Sequence, residues 1–192
     1  MLSKAESMAG TNLRITGGEF RSRRIQAPDG PAMRPTTDRM REALFNILDH
    51  QLDWPNIRAL DLFSGSGSLA LECLSRGVRE VTSLEKNRKL FQHLQKTRVT
   101  FRASNWTIQA ADVLKWAQQN HDASWNLILL DPPYALEKKS LLVERLWPLV
   151  AEGGLVVVEH PTQEAIALSA QEAEVRTYGD SAFSLFRKTE ND

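Results

Sequence analysis

The sequence contains little cysteine and no long apolar run. Among 192 residues there is one cysteine, Cys73, so no disulfide can form within the chain. Cys73 lies in an apolar helical pattern, which predicts a core residue rather than a nucleophile. No stretch approaches the length of a membrane span, and the start of the chain has no apolar signal region. These absences favour a protein of the reducing cytoplasm with no membrane partner.

The chain also lacks net charge, since 24 basic residues balance 24 acidic ones. The overall charge therefore argues neither for nor against a polyanionic partner. The distribution is uneven, however: residues 10–41 contain seven arginines and three acidic residues, and residues 87–111 contain five basic residues and no acid. Each segment alone is better explained as solvated surface, but the two together suggest a one-sided face for phosphates.

The first part of the chain predicts a small appendage. Residues 1–12 are small and polar, and we expect a disordered tail there. Leu13–Ile15 and Arg24–Gln26 flank the Gly17-Gly18 pair, which is typical of a β-hairpin. A helix with an apolar stripe follows, capped by Thr36 or Thr37. We expect this appendage to cover residues 13–55, and to form one unit with a main domain over residues 56–192.

The main domain alternates between strand and helix patterns, which predicts a parallel sheet with helices on both faces. The predicted strands are Ala59–Phe63, Glu80–Glu85, Trp106–Gln109, Leu127–Asp131 and Leu155–Glu159, and the predicted helices are Ser68–Arg76, Arg88–Arg98, Val113–Gln119 and Lys139–Val150. Two further strands, Glu174–Tyr178 and Ser181–Arg187, are joined by a tight turn. The sheet is therefore expected to close with a hairpin and to contain one antiparallel strand.

The most informative segment is Asp131-Pro132-Pro133-Tyr134, which follows the apolar run 125–130. A buried parallel strand that ends here presents these residues at the edge where open α/β folds bind ligands. The prolines restrict the backbone, so Asp131 and a nearby carbonyl could accept both hydrogens of a planar amino group while Tyr134 stacks on its ring. An ordinary strand-to-loop corner is the alternative, since Pro-Pro is common in turns. The segment resembles the (Asp/Asn)-Pro-Pro-(Tyr/Phe) motif of S-adenosylmethionine-dependent amino methyltransferases.

A glycine-rich turn, 61–68, follows the first strand of the main domain and opens a helix. Gly65 and Gly67 allow the chain to run close to a ligand, and Glu85, twenty residues after Gly65, is where a ribose-binding acid is expected. These features also fit a dinucleotide fingerprint, but no hydride-transfer acid–base pair stands out. Asp112 could bond an adenine amino group or serve only as a helix N-cap, and both interpretations stay open. The order of Asp61, Glu85, Asp112 and Asp131 along the chain is similar to the S-adenosylmethionine enzymes.

Further segments point to one family among these methyltransferases. Segments 34–48, 60–67 and 130–134, together with the arginine-rich hairpin, resemble the RsmD family. These are bacterial enzymes that methylate the exocyclic amino group (N2) of one guanine in 16S ribosomal RNA. The likeness covers roughly residues 13 to 188, and it departs from the family at Ser64, where alanine is common. It implies a Rossmann-like, seven-stranded methyltransferase fold in which residues 56–192 are the catalytic domain.

The resemblance also implies a set of site residues. S-adenosylmethionine would lie over the glycine-rich turn, with its ribose on Glu85 and its adenine near Asp112. The cofactor-binding residues would be Asp61, Phe63, Ser64, Gly65, Gly67, Glu85, Asp112, Arg34 and Thr36. The guanine would be held by Asp131, Pro132, Pro133 and Tyr134. Arginines of the hairpin and of segment 34–41 would contact RNA phosphates, with Arg14, Arg21, Arg23, Arg24 and Arg39 as the principal candidates.

The implied partner is 16S rRNA within a small ribosomal subunit or an assembly intermediate, bound by a monomer that needs no metal. Three alternatives stay open. A DNA adenine methyltransferase shares the tetrapeptide but would need extra sequence for target recognition. A protein glutamine methyltransferase would have less reason for the arginine clusters. A non-enzymatic RNA-binding or assembly role is disfavoured by the intact Asp131 and glycine-rich turn.

Overall fold

The computed structural model describes residues 12–26, 37–119, 124–169 and 171–189. The expected tail lies outside these ranges except for Asn12, which begins the first strand. Arg34 and Thr36 also lie outside them. Within the described ranges, no helix is both long enough and apolar enough to cross a membrane.

The appendage contains a hairpin and a helix, as predicted. Its elements are β1 (Asn12–Arg14), β2 (Arg24–Gln26) and α1 (Asp38–Asp49). Thr37 caps α1, because its side chain accepts a hydrogen bond from the Met40 N–H at 3.2 Å. A short 3-10 turn, Trp54–Asn56, leads into the main domain.

The main domain contains every strand and helix that the sequence predicts, with some changed ends. Its elements are β3 (Arg58–Leu62), α2 (Ser68–Ser75), β4 (Glu80–Leu84), α3 (Arg88–Phe101), β5 (Trp106–Gln109), α4 (Val113–Trp116), β6 (Trp125–Leu130), α5 (Lys139–Leu146), β7 (Val150–Pro161), β8 (Glu174–Tyr178) and β9 (Ser181–Arg187). The predicted helix 139–150 is too long: α5 gives way to a 3-10 turn at Trp147–Leu149, where Pro148 has no N–H to donate. Helix α4 is also shorter than predicted, since residues 118 and 119 donate to carbonyls three residues back, which tightens the chain into a turn.

The sheet has seven strands in the order β5-β4-β3-β6-β7-β9-β8. Strands β3 to β7 pair in parallel, and β9 runs antiparallel to both of its neighbours. The first strand of the main domain, β3, therefore lies between β4 and β6, and the chain crosses from one half of the sheet to the other there. This topology confirms the predicted Rossmann-like α/β fold with one antiparallel strand.

Two apolar clusters cover the two faces of the sheet. Along β6, Leu127 and Leu129 enter one cluster, while Ile128 and Leu130 enter the other. Helices α1, α2 and α3 with the hairpin cover the first face, and α4 and α5 cover the second. Cys73 is fully buried in the first cluster, as predicted. Burial on both faces explains why the strands are apolar without alternation.

A buried ion pair network joins the appendage to the main domain. The carboxylate of Glu72, on α2, is fully buried and accepts hydrogen bonds from the Thr16 N–H at 2.8 Å and its hydroxyl at 2.9 Å. It also accepts from Arg41 Nε of α1 at 2.9 Å and from Arg76 Nη1 at 2.5 Å. Hairpin, α1 and α2 thus converge on one carboxylate.

Arg41 corrects the expectation that the arginines of segment 34–41 contact phosphates. Its side chain is 1% exposed, and Nη2 donates to the Arg14 carbonyl at 2.5 Å and to Asp38 Oδ1 at 2.8 Å. The expectation failed because Glu72 lies 31 residues further along the chain, and only folding brings the two charges together.

We expect Arg41→Met to lower the free energy of unfolding by ~3 kcal/mol, measured by urea denaturation. This is near the low end for removing one partner of a buried pair, because Thr16 and Arg76 still stabilise Glu72. The control is Arg58→Met, which removes a partly exposed partner of Glu80 and should cost below about 1 kcal/mol. Equal costs for the two variants would contradict a structural role for Arg41.

Candidate functional site

Four acidic residues lie at the carboxyl ends of four neighbouring strands. Asp61 is the penultimate residue of β3, Glu85 directly follows β4, Asp112 comes three residues after β5, and Asp131 directly follows β6. These strands are adjacent and parallel in the sheet. The structure therefore brings all four predicted acids to one edge, which is the edge where folds of this topology bind ligands.

The glycine-rich turn connects β3 to α2 with left-handed backbone angles. Phe63, Gly65 and Gly67 have φ values of 61°, 52° and 79°. Ser64 holds the turn against β4, because its N–H donates to the Leu84 carbonyl at 3.2 Å and its hydroxyl to the Asp61 carbonyl at 2.9 Å. At Gly67 a Cβ atom would lie 2.6 Å from Leu94 Cδ2, so a side chain there would collide with α3.

Glu85 links this turn to the end of β4. Its carboxylate is buried and accepts hydrogen bonds from the Gly65 N–H at 3.0 Å and from the Asn87 N–H at 2.7 Å. The two backbone donors fix the orientation of the carboxylate. A carboxylate has about four acceptor positions, so this arrangement leaves capacity for further donors such as hydroxyl groups.

Asp61 is buried beneath the turn, at 1% exposure, and accepts a hydrogen bond from the Ser83 hydroxyl at 3.0 Å. Burial raises the pKa of Asp61 to about 6, and the nearby charge of Glu85 adds to this effect. Hydrogen bonds from Ser64 and Ser83 act in the opposite direction. A carboxyl group of this kind accepts or releases a proton easily near neutral pH, and a bound cation would favour its ionised form.

Asp112 caps α4, which confirms the structural interpretation of this residue. Its carboxylate accepts from the N–H groups of Leu114 at 3.0 Å and Lys115 at 3.3 Å, and Lys86 lies 3.4 Å away. Desolvation acts to raise the pKa of Asp112, but the Lys115 N–H and the Lys86 ammonium outweigh it and lower the pKa. A contact with adenine stays a prediction.

The segment Asp131–Tyr134 forms an ordered loop beside the turn. The Asp131 N–H donates to the Leu62 carbonyl at 3.5 Å, which ties the loop to the end of β3. Pro132 is buried and Pro133 is exposed. Tyr134 is 40% exposed, and its hydroxyl lies 2.5 Å from Ser181 Oγ at the start of β9. The ring is therefore held at its far end while one part of its surface faces solvent.

Lys139, the first residue of α5, contacts this loop, and the sequence did not reveal it. Its side chain is 2% exposed, and Nζ donates to the Leu136 carbonyl at 2.8 Å and the Tyr134 carbonyl at 3.3 Å. Glu164 balances its charge at 2.7 Å. Ser181 was missed as well. A lysine at the start of a helix gives no signal of burial, because its partners here are backbone carbonyls and a distant acid.

The predicted RNA-binding arginines lie on two elements of the appendage, the hairpin and α1, and their contact with RNA stays a prediction. Arg14 and Arg24 are paired across the hairpin, and Arg39 is exposed on α1. Arg21 and Arg23 lie at the hairpin tip, where Arg23 packs on the ring of Phe101. In the described part of the chain, no three His, Cys, Asp or Glu side chains are grouped as metal ligands would be.

Comparisons with known proteins agree with this geometry. A family model described as "Conserved hypothetical protein 95" matches residues 13–187. "Ribosomal RNA small subunit methyltransferase D" of Escherichia coli K12 is 33% identical over 169 residues, covering 86% of this chain and 83% of that protein. The protein of the same name from Haemophilus influenzae is 34% identical over 159 residues, covering 77% of this chain and 78% of the relative.

Solved structures show the same architecture. A candidate methyltransferase from Escherichia coli, yhhF, superposes with a TM-score of 0.84 at 29% identity, covering 93% of this chain and 99% of that one. A more distant candidate methyltransferase, SMU.776, was crystallised as a complex with SAH. It has a TM-score of 0.70 at 14% identity, covers 96% of this chain and 58% of its own, and shares the fold alone.

We expect Asp61→Asn to stabilise the protein in a pH-dependent manner. Because the pKa of Asp61 is raised to about 6, the folded chain binds this proton more tightly than the unfolded chain. The contribution of Asp61 to stability is therefore greatest at low pH and is lost as the pH rises through about 6. The variant should gain about 2 kcal/mol in free energy of unfolding near pH 7.5, and this gain should shrink towards pH 4.5.

Urea denaturation at both pH values measures the effect, with Asp53→Asn at an exposed position as the control. A stabilisation by Asp61→Asn that did not change with pH would contradict the raised pKa.

Proposed function

Because the chain belongs to the ribosomal RNA small subunit methyltransferase D family, we propose that it methylates the exocyclic N2 of a guanine in 16S rRNA. The enzyme uses S-adenosylmethionine as its cofactor. One observation carries the proposal. The loop Asp131–Tyr134 is tied to the end of β3 beside the glycine-rich turn, with an acid at its start and an exposed aromatic residue at its end.

The residues of the turn fit this cofactor. When bound, S-adenosylmethionine supplies a methyl group already activated on a sulfonium centre. We propose that Gly65 and Gly67 let the backbone approach the cofactor, and that Glu85, oriented by two N–H groups, accepts from the ribose hydroxyls. Phe63 and Ser64 shape the turn, and Asp112 lies where it would meet the adenine. The buried acid Asp61 favours a ligand with positive charge, and Arg34 and Thr36 are proposed to help close the site.

We propose that the loop 131–134 orients and activates the amino group of the guanine. An aromatic amino nitrogen is a poor nucleophile, because its lone pair is delocalised into the ring. If the Asp131 carboxylate and the Pro132 carbonyl accept its two hydrogens, they favour the pyramidal nitrogen of the transition state. Pro133 stiffens the loop, and the exposed Tyr134 ring is suited to stack on the base. The methylated nitrogen then loses a proton readily, so this site needs no strong general base.

The target base must leave its stack to reach this loop. We propose that residues 13–55 and 56–192 act as one unit, since Glu72 binds both parts. We further propose that the enzyme acts in the cytoplasm as a monomer without a metal. A domain of 21.7 kDa reads little RNA sequence unaided, so its substrate is proposed to be a small ribosomal subunit or an assembly intermediate.

The proposed function is tested by transfer of a labelled methyl group from S-adenosylmethionine. The substrates are free 16S RNA, small ribosomal particles, DNA and total protein from cells that lack this gene. Label recovered as 2-methylguanosine supports the proposal. Label found only in DNA adenine or in glutamine would overturn it, while the fold and the Asp131 loop would stand.

We expect Asp131→Ala to lower the turnover number by about 100-fold or more, because it removes one preorganised acceptor that acts mainly in the transition state. Cofactor affinity, measured by calorimetry, should change far less. Asp180→Ala, at the exposed turn between β8 and β9, is the control. Near-normal turnover by Asp131→Ala would exclude the proposed role.

We expect Lys139→Met to lower turnover about tenfold while the protein stays folded, because the Tyr134 and Leu136 carbonyls lose their donor and the methyl thioether still fills the space. The neighbouring Lys138 is exposed, so Lys138→Met is a matched control. A lower turnover number with an unchanged KM for RNA would indicate loss of loop positioning, whereas a raised KM would indicate weaker RNA binding. If both variants behaved alike, Lys139 would have no positioning role.

A further inference from the structure

A groove of about 680 Å³ lies at the amino ends of the parallel strands, whereas the four acids lie at their carboxyl ends. Its walls are the hairpin tip, the C-terminal end of α2 and the C-terminal end of α3. These two helix ends lead into the starts of β4 and β5, which places the groove at the amino ends of the parallel strands. The groove is therefore separate from the proposed methylation site, and its volume is in the range of ligand pockets.

A stacked cation is the central feature of this groove. The Arg23 guanidinium lies 3.8 Å from the centroid of the Phe101 ring and 5.1 Å from that of Phe20, and the two rings meet edge to face at 5.2 Å. Nη2 of Arg23 donates to the Thr100 carbonyl at 3.2 Å, which fixes the plane of the guanidinium. The Phe101 ring packs against one side of this plane, and the Arg23 side chain is exposed to solvent. A guanidinium held in this way is suited to stack on a nucleic acid base.

The charge around the groove favours a polyanion. Arg102 adds a second cation to the wall, against the single acid Glu19. Helix α3 extends from this wall towards the opposite edge, where it begins three residues after Glu85. Its exposed basic residues are Arg88, Lys89, Lys96 and Arg98, and the helix contains no acid. With 14 residues α3 is about 20 Å long, so it connects the two edges with positive charge.

We propose that this groove binds an unpaired base of the RNA substrate, stacked on the Arg23 guanidinium, at the other end of α3 from the glycine-rich turn and the proposed methylation site. The phosphates between the two bases follow the exposed face of α3 that carries Arg88, Lys89 and Lys96. This inference rests on the proposed function, because it takes RNA as the substrate. A second contact of this kind explains how a small domain can select one base: two unpaired bases must fit at a fixed spacing.

The first measurement is the affinity of the purified full chain for a short fluorescein-labelled oligouridylate and for a duplex of the same length. We expect the single strand to bind, and Arg23→Met to weaken that binding about tenfold, the size of one lost base stack. Methionine keeps an apolar contact with Phe101 but removes the planar cation. Arg176→Met is the matched control, since Arg176 is exposed on β8 at the other end of the sheet.

A second variant is needed because Arg23→Met could weaken binding by misfolding the hairpin. Arg102 has a φ of 53°, so Arg102→Gly removes the charge at a position where glycine is favoured. It should weaken oligouridylate binding several-fold without lowering Tm. Unchanged binding by both Arg23→Met and Arg102→Gly would overturn the groove as an RNA site. Equal weakening of single strand and duplex would also overturn it, because this would indicate phosphate contacts without base stacking.

Methyl transfer separates this inference from the proposed function. If the wild type methylates ribosomal RNA and Arg23→Met raises the KM for RNA, the proposed function and the RNA-binding groove are both supported. If the wild type methylates ribosomal RNA but the two variants keep its KM and its oligouridylate affinity, only the groove fails. If the wild type transfers no methyl group to ribosomal RNA, the proposed function fails, and the oligouridylate measurement alone decides whether the groove binds single strands.

Discussion

The buried carboxylate of Glu72 is the contact on which the arrangement of this protein depends. It receives donors from the hairpin, from α1 and from Arg76 at the end of α2. A three-residue strand pair has too little apolar surface to hold its place alone. Since α2 begins at the glycine-rich turn, the same carboxylate relates the position of the hairpin to that of the proposed cofactor site. An unpaired charge at this depth would be costly, so the carboxylate favours the arrangement in which all three elements meet it.

The proposed active site depends on a different constraint, which is the parallel sheet. Adjacent parallel strands have their carboxyl ends on the same side of the sheet, so residues far apart in the chain meet there. The surrounding structure then orients each group: backbone N–H groups hold Glu85, Ser83 holds Asp61, and Lys139 and Ser181 hold Tyr134 of the loop 131–134. Positioning of this kind is what methyl transfer to an amino group requires, since the methyl donor is already activated and the protein has mainly to align two atoms.

Much of this could be predicted from the sequence. The alternation of apolar runs and helical stripes is local information, and it yielded every strand and helix of the main domain. Helix ends were less accurate where Pro148 and the turn after Trp116 decided them. Asp61 lies near the end of its strand, and Glu85, Asp112 and Asp131 follow theirs directly or nearly so, so the edge that the four acids share follows from the fold class. Lys139 and Arg41 could not be found in this way. Both are charged and look like surface residues, and their partners lie elsewhere in the chain.

The sequence by itself therefore determined the elements, their order and the set of acids at the carboxyl edge, because periodicity and strand-end motifs are encoded within a few residues. Only the tertiary structure decided which charges are buried, as with Arg41 and Lys139, and where the hairpin arginines lie. It paired Arg14 with Arg24 in the hairpin and placed Arg23 against Phe101, at the amino ends of the parallel strands. The physical reason is that burial and charge pairing depend on contacts between distant segments. A residue's type limits those contacts, but its neighbours in sequence do not specify them.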